Sequence, residues 1–307
     1  MRLYYPRDFP LKLRNPVGTL GNFDGVHLGH RALLEATRDL ARELSGEPLV
    51  ITFEPHPRLV LRPEAGLHLL TTFEEKLRLV EEAGISSVLV IPFDREVADL
   101  PAEEFVEEYL VYGLGLKGLV VGFNYRFGRG RGGDQELLKH LGERYGFQVR
   151  VIPPRVVEGQ VVSSTLIREL LEKGEVRRAA LFLGRPYFLS GRVIRGEARG
   201  RILGFPTANL EPPPEKLIPA RGVYAVRVKW SEREFSGVMN VGEKPTFGGH
   251  RLQLEVHLFD FKGDLYGETL RVEFVEFLRP ERKFPSPAAL VSQIVKDCQE
   301  AKRILNV

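Results

Sequence analysis

Gly18 to His30 reads GTLGNFDGVHLGH, and the reading of this stretch decides the fold. His27 and His30 stand three residues apart, behind Gly21 and Gly25 and ahead of Leu33, Leu34, Leu40 and Leu44, whose spacing is helical. A turn therefore opens into a helix here. At such a junction the first backbone N–H groups have no partner within the helix, and the aligned peptide dipoles leave positive partial charge, so phosphate oxygens are favoured. Imidazoles in the first turn add further donors.

That arrangement suits transfer of a nucleotidyl or phosphoryl group, whose transition state needs positioning and charge neutralisation more than a covalent nucleophile. On its own, a His-x-Gly-His pattern is also compatible with one histidine capping the turn while the other packs. A distant segment, Ser163-Ser164-Thr165-Leu166-Ile167-Arg168, also opens a helix, at the far end of the same expected domain. Together with Gly21-Asn22-Phe23-Asp24-Gly25 and the two histidines, it resembles the HxGH nucleotidylyltransferase superfamily, and more closely the amino-terminal module of prokaryotic bifunctional FAD synthetases.

The chain has 307 residues, comfortable for two domains, and 43% of them are apolar, an ordinary globular composition. No apolar run approaches the roughly 18 to 20 residues that span a bilayer, and MRLYYPRDFP has no basic-then-apolar leader pattern. A cytoplasmic protein without membrane partners is expected. The single cysteine, Cys298, excludes an internal disulfide or a cysteine-based metal cluster and reads as a small apolar residue on the last helix. Forty-four basic against 41 acidic residues leave a net charge of +3, too near balance for a dedicated nucleic-acid binder. Arg126, Arg129 and Arg131 among glycines read as a loop facing phosphate or solvent rather than as an RNA patch. Oligomeric state is left open, and a homo-oligomer is compatible with the sequence.

Residues 1 to 183 alternate strand-like and helix-like segments. Leu49–Phe53 is an apolar run stopped by Pro55-His56-Pro57, Val88–Phe93 and Leu119–Phe123 are similar, and Phe147–Ile152 follows. Between them, Thr72 with Glu75 forms a capping box, Pro101 opens a helix carrying Phe105, Val106, Tyr109 and Leu110, and Asp134 caps another. Apolar strands separated by amphipathic helices imply a Rossmann-like parallel sheet with helices on both faces, and ligands then bind beyond the carboxyl ends of the strands. The histidines, the Pro-His-Pro turn and Gly122-Phe123-Asn124-Tyr125-Arg126-Phe127-Gly128 each follow a strand. No G-x-G-x-x-G with a downstream acid is present, which disfavours a dinucleotide dehydrogenase.

From 184 to 307 the apolar period changes to two. Tyr224, Val226, Val228 and Trp230 alternate with polar or small residues, as do Leu252, Leu254, Val256 and Leu258, and then Leu270, Val272 and Phe274. Such strands without intervening helices imply a small antiparallel barrel, with a final helix from about Ser286 to Leu305 laying Leu290, Ile294, Cys298, Ala301 and Leu305 on it. Gly200-Arg201-Ile202-Leu203-Gly204-Phe205-Pro206-Thr207-Ala208-Asn209 is a glycine-bounded loop whose Thr207 and Asn209 oxygens suit Mg2+ bridging ATP phosphates, or equally fix a turn. The segment resembles the Pro-Thr-Ala-Asn signature of riboflavin kinases. Arg221–Ala225, Asn240-Val241-Gly242, Leu254–Leu258, Tyr266-Gly267-Glu268 and Leu278-Arg279-Pro280-Glu281 extend the likeness.

The resemblance therefore covers about residues 15 to 305 and implies a bifunctional riboflavin kinase/FMN adenylyltransferase. It implies that Gly21, Asn22, Phe23 and Asp24 line a nucleotide pocket, and that His27 and His30 donate to the triphosphate. Ser164, Thr165 and Arg168 would stabilise departing pyrophosphate, with Ser163 beside them among the nucleotide-binding residues, while Asn124 with the Tyr125–Gly128 turn, Arg126 included, would meet the flavin. In the second module Gly200, Arg201, Gly204 and Pro206 form the phosphate loop, Thr207 and Asn209 hold Mg2+, and Glu255 is the catalytic base. Strand alternation supports Glu255 independently, since four aliphatics facing the core would place it on the other face. A cytidylyl- or pantetheine-phosphate-type transferase with an accessory barrel is the rival.

Overall fold

The computed structural model describes residues 1–196, 200, 203–246 and 249–307. The chain divides into two compact units, Met1–Ser164 and Thr165–Val307.

In the first unit six strands, β1 (Arg2–Tyr4), β2 (Val17–Leu20), β3 (Pro48–Glu54), β4 (Ser87–Pro92), β5 (Gly118–Gly122) and β6 (Gln148–Ile152), form one sheet in the order β1-β4-β3-β2-β5-β6. All five pairings are parallel. The helices are α1 (Leu28–Glu43), the short α2 (Pro57–Leu61), α3 (Phe73–Glu82), α4 (Arg95–Asp99), α5 (Ala102–Phe105) and α6 (Gln135–Tyr145). Apolar side chains fill both faces of the sheet: Val17, Leu40, Ala41 and Val120 pack on the α1 side, and Leu20, Ile51, Leu89, Phe105, Leu110 and Leu119 form the larger cluster. Because both faces are covered, the strands read as unbroken apolar runs.

Expected starts recur. Thr72 and Glu75 make the reciprocal capping box of α3, Asp134 caps α6 and Pro101 precedes α5. The helix expected to carry Phe105, Val106, Tyr109 and Leu110 is present but turns π-type over Val106–Gly113, while β1, a three-residue edge strand, the short α2 and α4, and a hairpin of β7 (Val156–Val157) and β8 (Gln160–Val161) lay outside the sequence reading. Each of these short elements is too brief to leave an apolar pattern.

The second unit begins in α7 (Ser164–Glu172) and continues through α8 (Val176–Leu183). A closed six-stranded barrel follows, built from β9 (Tyr187–Ile194), β10 (Ala208–Glu211), β11 (Gly222–Trp230), β12 (Arg233–Thr246), β13 (Gly249–Leu258) and β14 (Thr269–Arg279), with every pairing antiparallel. The division falls earlier than the boundary after Leu183 expected from the sequence, because these two helices join the barrel. Leu171 accepts from the Ala220 N–H at 2.9 Å, and Arg177 pairs with Glu276 at 3.3 Å.

Inside the barrel lie Tyr224, Val226, Val228, Met239, Val256, Leu270, Val272 and Phe274, all buried. The alternation fails on β11, where Val223 and Ala225 are buried too: α9 (Pro287–Leu305) covers the outer face there, packing Ala301 and Leu305 on Val223, Ala225, Val238 and Phe259. Ser286 caps that helix, as its sequence implied. Arg279 of β14 closes on Asp297 of α9 through three hydrogen bonds of 2.8 to 3.0 Å.

Candidate functional site

In the first unit, the chain leaves β2 at the centre of the sheet, where β3 and β4 continue to one side and β5 and β6 to the other. This reversal of strand order is where a parallel α/β sheet opens a crevice for ligands. The loops after β2, β3 and β5 therefore emerge side by side, carrying Gly21–His27, Pro55-His56 and Phe123–Phe127.

The first loop is tightly wound. Phe23, Gly25 and Val26 all have left-handed φ angles, of 52°, 85° and 38°, and Val26 N–H donates to the Phe23 carbonyl at 3.1 Å. A buried β-branched valine in that region is strained, and such strain persists only where surroundings over-determine it. They do so here. The Asp24 carboxylate accepts from the Thr71 N–H at 3.0 Å and the Thr71 hydroxyl at 3.3 Å, and that hydroxyl accepts from Gly25 N–H at 3.0 Å. Ser164, from 140 residues away in sequence, donates its hydroxyl to the Asp24 carbonyl at 2.9 Å. The two distant motifs thus meet. Asp24, expected to line a nucleotide pocket, is buried and anchors the loop.

His27 is the N-cap of α1: its Nδ1 accepts from the His30 N–H at 3.2 Å. The ring proton is thereby placed on Nε2, leaving that edge a donor. The His30 ring stacks on it at 3.6 Å between centroids, 14° from coplanar, with the Phe23 ring 5.2 Å away. The capping reading of the motif is what this hydrogen bond bears out: a histidine does cap the turn. The intervening Gly29 has a packing reason: a Cβ there would lie 3.1 Å from the His27 ring.

Sequence reasoning placed the Pro55-His56-Pro57 turn beyond a strand end but gave His56 no role. It is buried, caps α2 in the same way, and accepts the Arg58 N–H on Nδ1 at 3.1 Å. The signal was a histidine at a strand end followed by proline, which favours the first helical position. After β5, Asn124 is exposed, and Arg126 pairs with Asp134 at 3.0 Å, so this expected ligand-binding guanidinium is engaged by the cap of α6. Behind them the Tyr125 ring stacks on Phe127 at 5.8 Å, Phe127 meets Phe105 at 6.0 Å and Phe105 meets Phe53 at 6.1 Å, a continuous run of aromatic faces. Gly21 N–H donates to the Ile51 carbonyl at 3.1 Å and the Asn22 carbonyl accepts from Thr52, which ties this loop to β3. Ser163 is half-buried beside Ser164. In the second unit, Thr165 is exposed and Arg168 is buried on α7.

On the barrel, register brings the second constellation together. Asn209 of β10 pairs with Glu255 of β13, which pairs with Asn240 of β12, so three polar side chains share one outward face. Val256, opposite both Ala208 and Met239, points inward. Three aliphatics rather than four face the core on β13: Leu252 is 41% exposed, lying beyond the barrel's packed girth. Asn209 Oδ1 accepts from Gln253 at 3.2 Å, and His257 Nδ1 lies 2.8 Å from the Pro206 carbonyl. Alternate residues of β13 thus grip the Pro206–Asn209 segment around Glu255.

Gly204 takes a left-handed φ of 85°, and Phe205 N–H closes back on the Gly200 carbonyl at 2.8 Å. A Cβ on Gly200 would stand 2.3 Å from the Phe205 carbonyl and 3.1 Å from Thr207 Oγ1, so only glycine brings the backbone this near the Thr207 hydroxyl. Hard oxygens on Thr207 and Asn209 beside that cradle fit Mg2+ and a polyphosphate. Arg201 and residues 197–199 lie outside the described residues, as does Phe247.

An imidazole-bearing helix start at the crevice of a parallel sheet, joined to a barrel with a glycine-rich oxygen cradle, defines a two-module enzyme that transfers phosphorus-containing groups. The FAD synthetase family model matches residues 10–166 and the riboflavin kinase model residues 183–305. The chain is 42% identical over 280 residues to the bifunctional riboflavin kinase/FMN adenylyltransferase of Escherichia coli K12, covering 91% of this chain and 89% of that one. The Bacillus subtilis protein of the same name is 37% identical over 292 residues, covering 94% and 92%. A Streptococcus pneumoniae crystal structure described as a macrolide-efflux protein superposes with a TM-score of 0.89 at 32% identity, covering 98% of each chain. Among the described residues no helix is long and apolar enough to cross a membrane. The chain belongs to the bifunctional riboflavin kinase/FMN adenylyltransferase family.

Proposed function

We propose that the barrel module phosphorylates riboflavin with ATP to give FMN, and that the sheet module adenylylates FMN with a second ATP to give FAD and pyrophosphate. In this reading the functional boundary is drawn after Leu183, which assigns α7 and α8 to the adenylylating module. One observation carries this reading: each unit gathers its own phosphate-directed groups, His27, His30 and Ser164 around the β2 loop, and Thr207, Asn209 and Glu255 around the Gly200 turn.

In the kinase step the Glu255 carboxylate orients the terminal ribityl hydroxyl and takes its proton as that oxygen attacks the γ-phosphorus, and ADP leaves. Asn209 and Asn240, on either side of Glu255, fix where that hydroxyl sits. Thr207 and Asn209 would hold Mg2+, which would supply charge neutralisation for the polyphosphate. Gly200, Gly204 and Pro206 keep the backbone low enough for those phosphates to approach, and Arg201 is assigned to the same loop.

In the adenylyl step a phosphate oxygen of FMN attacks the α-phosphorus, and the bond to the β-phosphate breaks. The second ionisation of a phosphate monoester lies near pH 6, so the nucleophile is already anionic and no strong base is needed. His27 and His30 act as donors to the triphosphate, and Ser164, Thr165 and Arg168, with Ser163 beside them, stabilise charge growing on departing pyrophosphate. Gly21, Asn22, Phe23 and Asp24 shape the nucleotide side of the crevice. The flavin ring meets the Tyr125–Gly128 turn, with Asn124 and Arg126 at its edge. The partners are small molecules, ATP, riboflavin and FMN, and the place is the cytoplasm.

Purified protein given riboflavin, ATP and Mg2+, with products resolved by chromatography, is expected to yield FMN and then FAD. Formation of neither flavin overturns the reading.

A further inference from the structure

Lys76 has no part in the chemistry above, yet it is 5% exposed on the first turns of α3, a costly place for an ammonium. Its Nζ lies 3.4 Å from Glu54 Oε2, at the end of β3 and immediately before the Pro55-His56 turn. It also feels the charge of Asp24, the anchor of the β2 loop, and stands over the Phe73 ring at 5.5 Å. Burial pushes the ammonium down from the ordinary lysine value, while Glu54 and Asp24 pull it back up. Two carboxylates therefore sit at the roots of two adjacent ligand-bearing loops, and one buried cation answers both.

A crevice that admits ATP beside FMN must tolerate several negative charges at once. Uncompensated carboxylates at its floor would repel both ligands through a medium of low dielectric, where charge interactions are several times stronger than in water. Structural needs alone do not call for an ammonium there. The Asp24 carboxylate already has the Thr71 N–H and hydroxyl, and a methionine of similar length would fill the Lys76 volume.

We propose that Lys76 is a positioning residue for adenylyl transfer: its buried ammonium offsets Asp24 and Glu54 so that the mouth of the sheet accepts two anionic ligands. This rests on the assignment of FAD formation to the sheet module.

The test uses the full chain, measuring FAD formation from FMN and ATP, with FMN formation from riboflavin as the control in the same preparation. If the unaltered chain makes no FAD, the assignment fails and this inference with it; if it does, the variants decide the inference alone. Lys76→Met is expected to raise the KM for ATP about tenfold or more, with a smaller change in kcat and FMN formation unaltered. Adding Glu54→Gln to Lys76→Met should recover most of the loss, because one charge of each sign has then been removed. A purely structural lysine would not show this rescue. An unchanged KM in Lys76→Met, or a double variant no better than the single, overturns the inference. Should Lys76→Met fail to fold, Glu54→Gln alone decides: the KM for ATP is expected to fall about threefold, and an unchanged or higher value overturns the proposal.

Discussion

His27 does two things that a single substitution can separate. As the N-cap it satisfies the His30 N–H through Nδ1, and by doing so it places the ring proton on Nε2. Alanine removes both functions and should cost about 1 kcal/mol of stability as well as activity. Asparagine is among the best N-caps, so His27→Asn should hold the melting temperature near that of the unaltered chain. FAD formation should still fall on the order of 10²-fold, as for loss of one oxyanion-type donor. Thermal unfolding paired with product assays reads both quantities. A His27→Asn variant with full activity would show that this imidazole serves only the helix. Glycines, histidines and turn residues of this loop were legible in the sequence because their requirements are local: a φ sign, a cap, a close approach. Lys76 and the Leu252 exposure were not, since a lysine's burial and a strand's overhang are set by segments far away in sequence.

The last helix shows the same division between local and distant signals. Its Ser286 start and apolar stripe were plain, but Asp297, exposed by any local reading, is 6% exposed and held by Arg279 and Gln293. Arg279 belongs to the Leu278-Arg279-Pro280-Glu281 stretch, whose reason now has physical content: it fastens α9 to β14. Asp297→Ala leaves a largely buried guanidinium without its carboxylate and should lower stability by about 3 kcal/mol. A urea or thermal transition monitored on the full chain checks this, and loss of less than about 1 kcal/mol would show the pair to be a surface-type ion pair. Cys298, on the same helix, is half-buried, and burial pushes its thiol up to about 11. The thiolate is the nucleophile, so alkylation by iodoacetamide at pH 8 should be slow in the native chain and fast after unfolding. Equal rates in the two states would place the thiol in solvent.

At the scale of the molecule, the two-module architecture was legible because the apolar period switches from helical to alternating along the chain. The point at which the units separate was not, since α7 and α8 look like any amphipathic pair and only their hydrogen bonds reveal that they pack with the barrel. The division has a functional consequence. The candidate groups of each reaction lie in different motif sets, and FMN is the product of one and the substrate of the other. His30→Ala should therefore stop at FMN when given riboflavin and ATP, and Glu255→Gln should make FAD only when FMN is supplied. Each loss is expected to be about 10²-fold or greater. Mixing the two variants should restore riboflavin to FAD, because FMN released by the first kind of molecule can be taken up by the second. Recovery should follow second-order dependence on the two concentrations while FMN is scarce, with free FMN detectable before FAD. If the mixture stays inactive while each variant retains its other reaction, FMN does not pass through solution between molecules, and the two sites must act on it within one chain or one assembly.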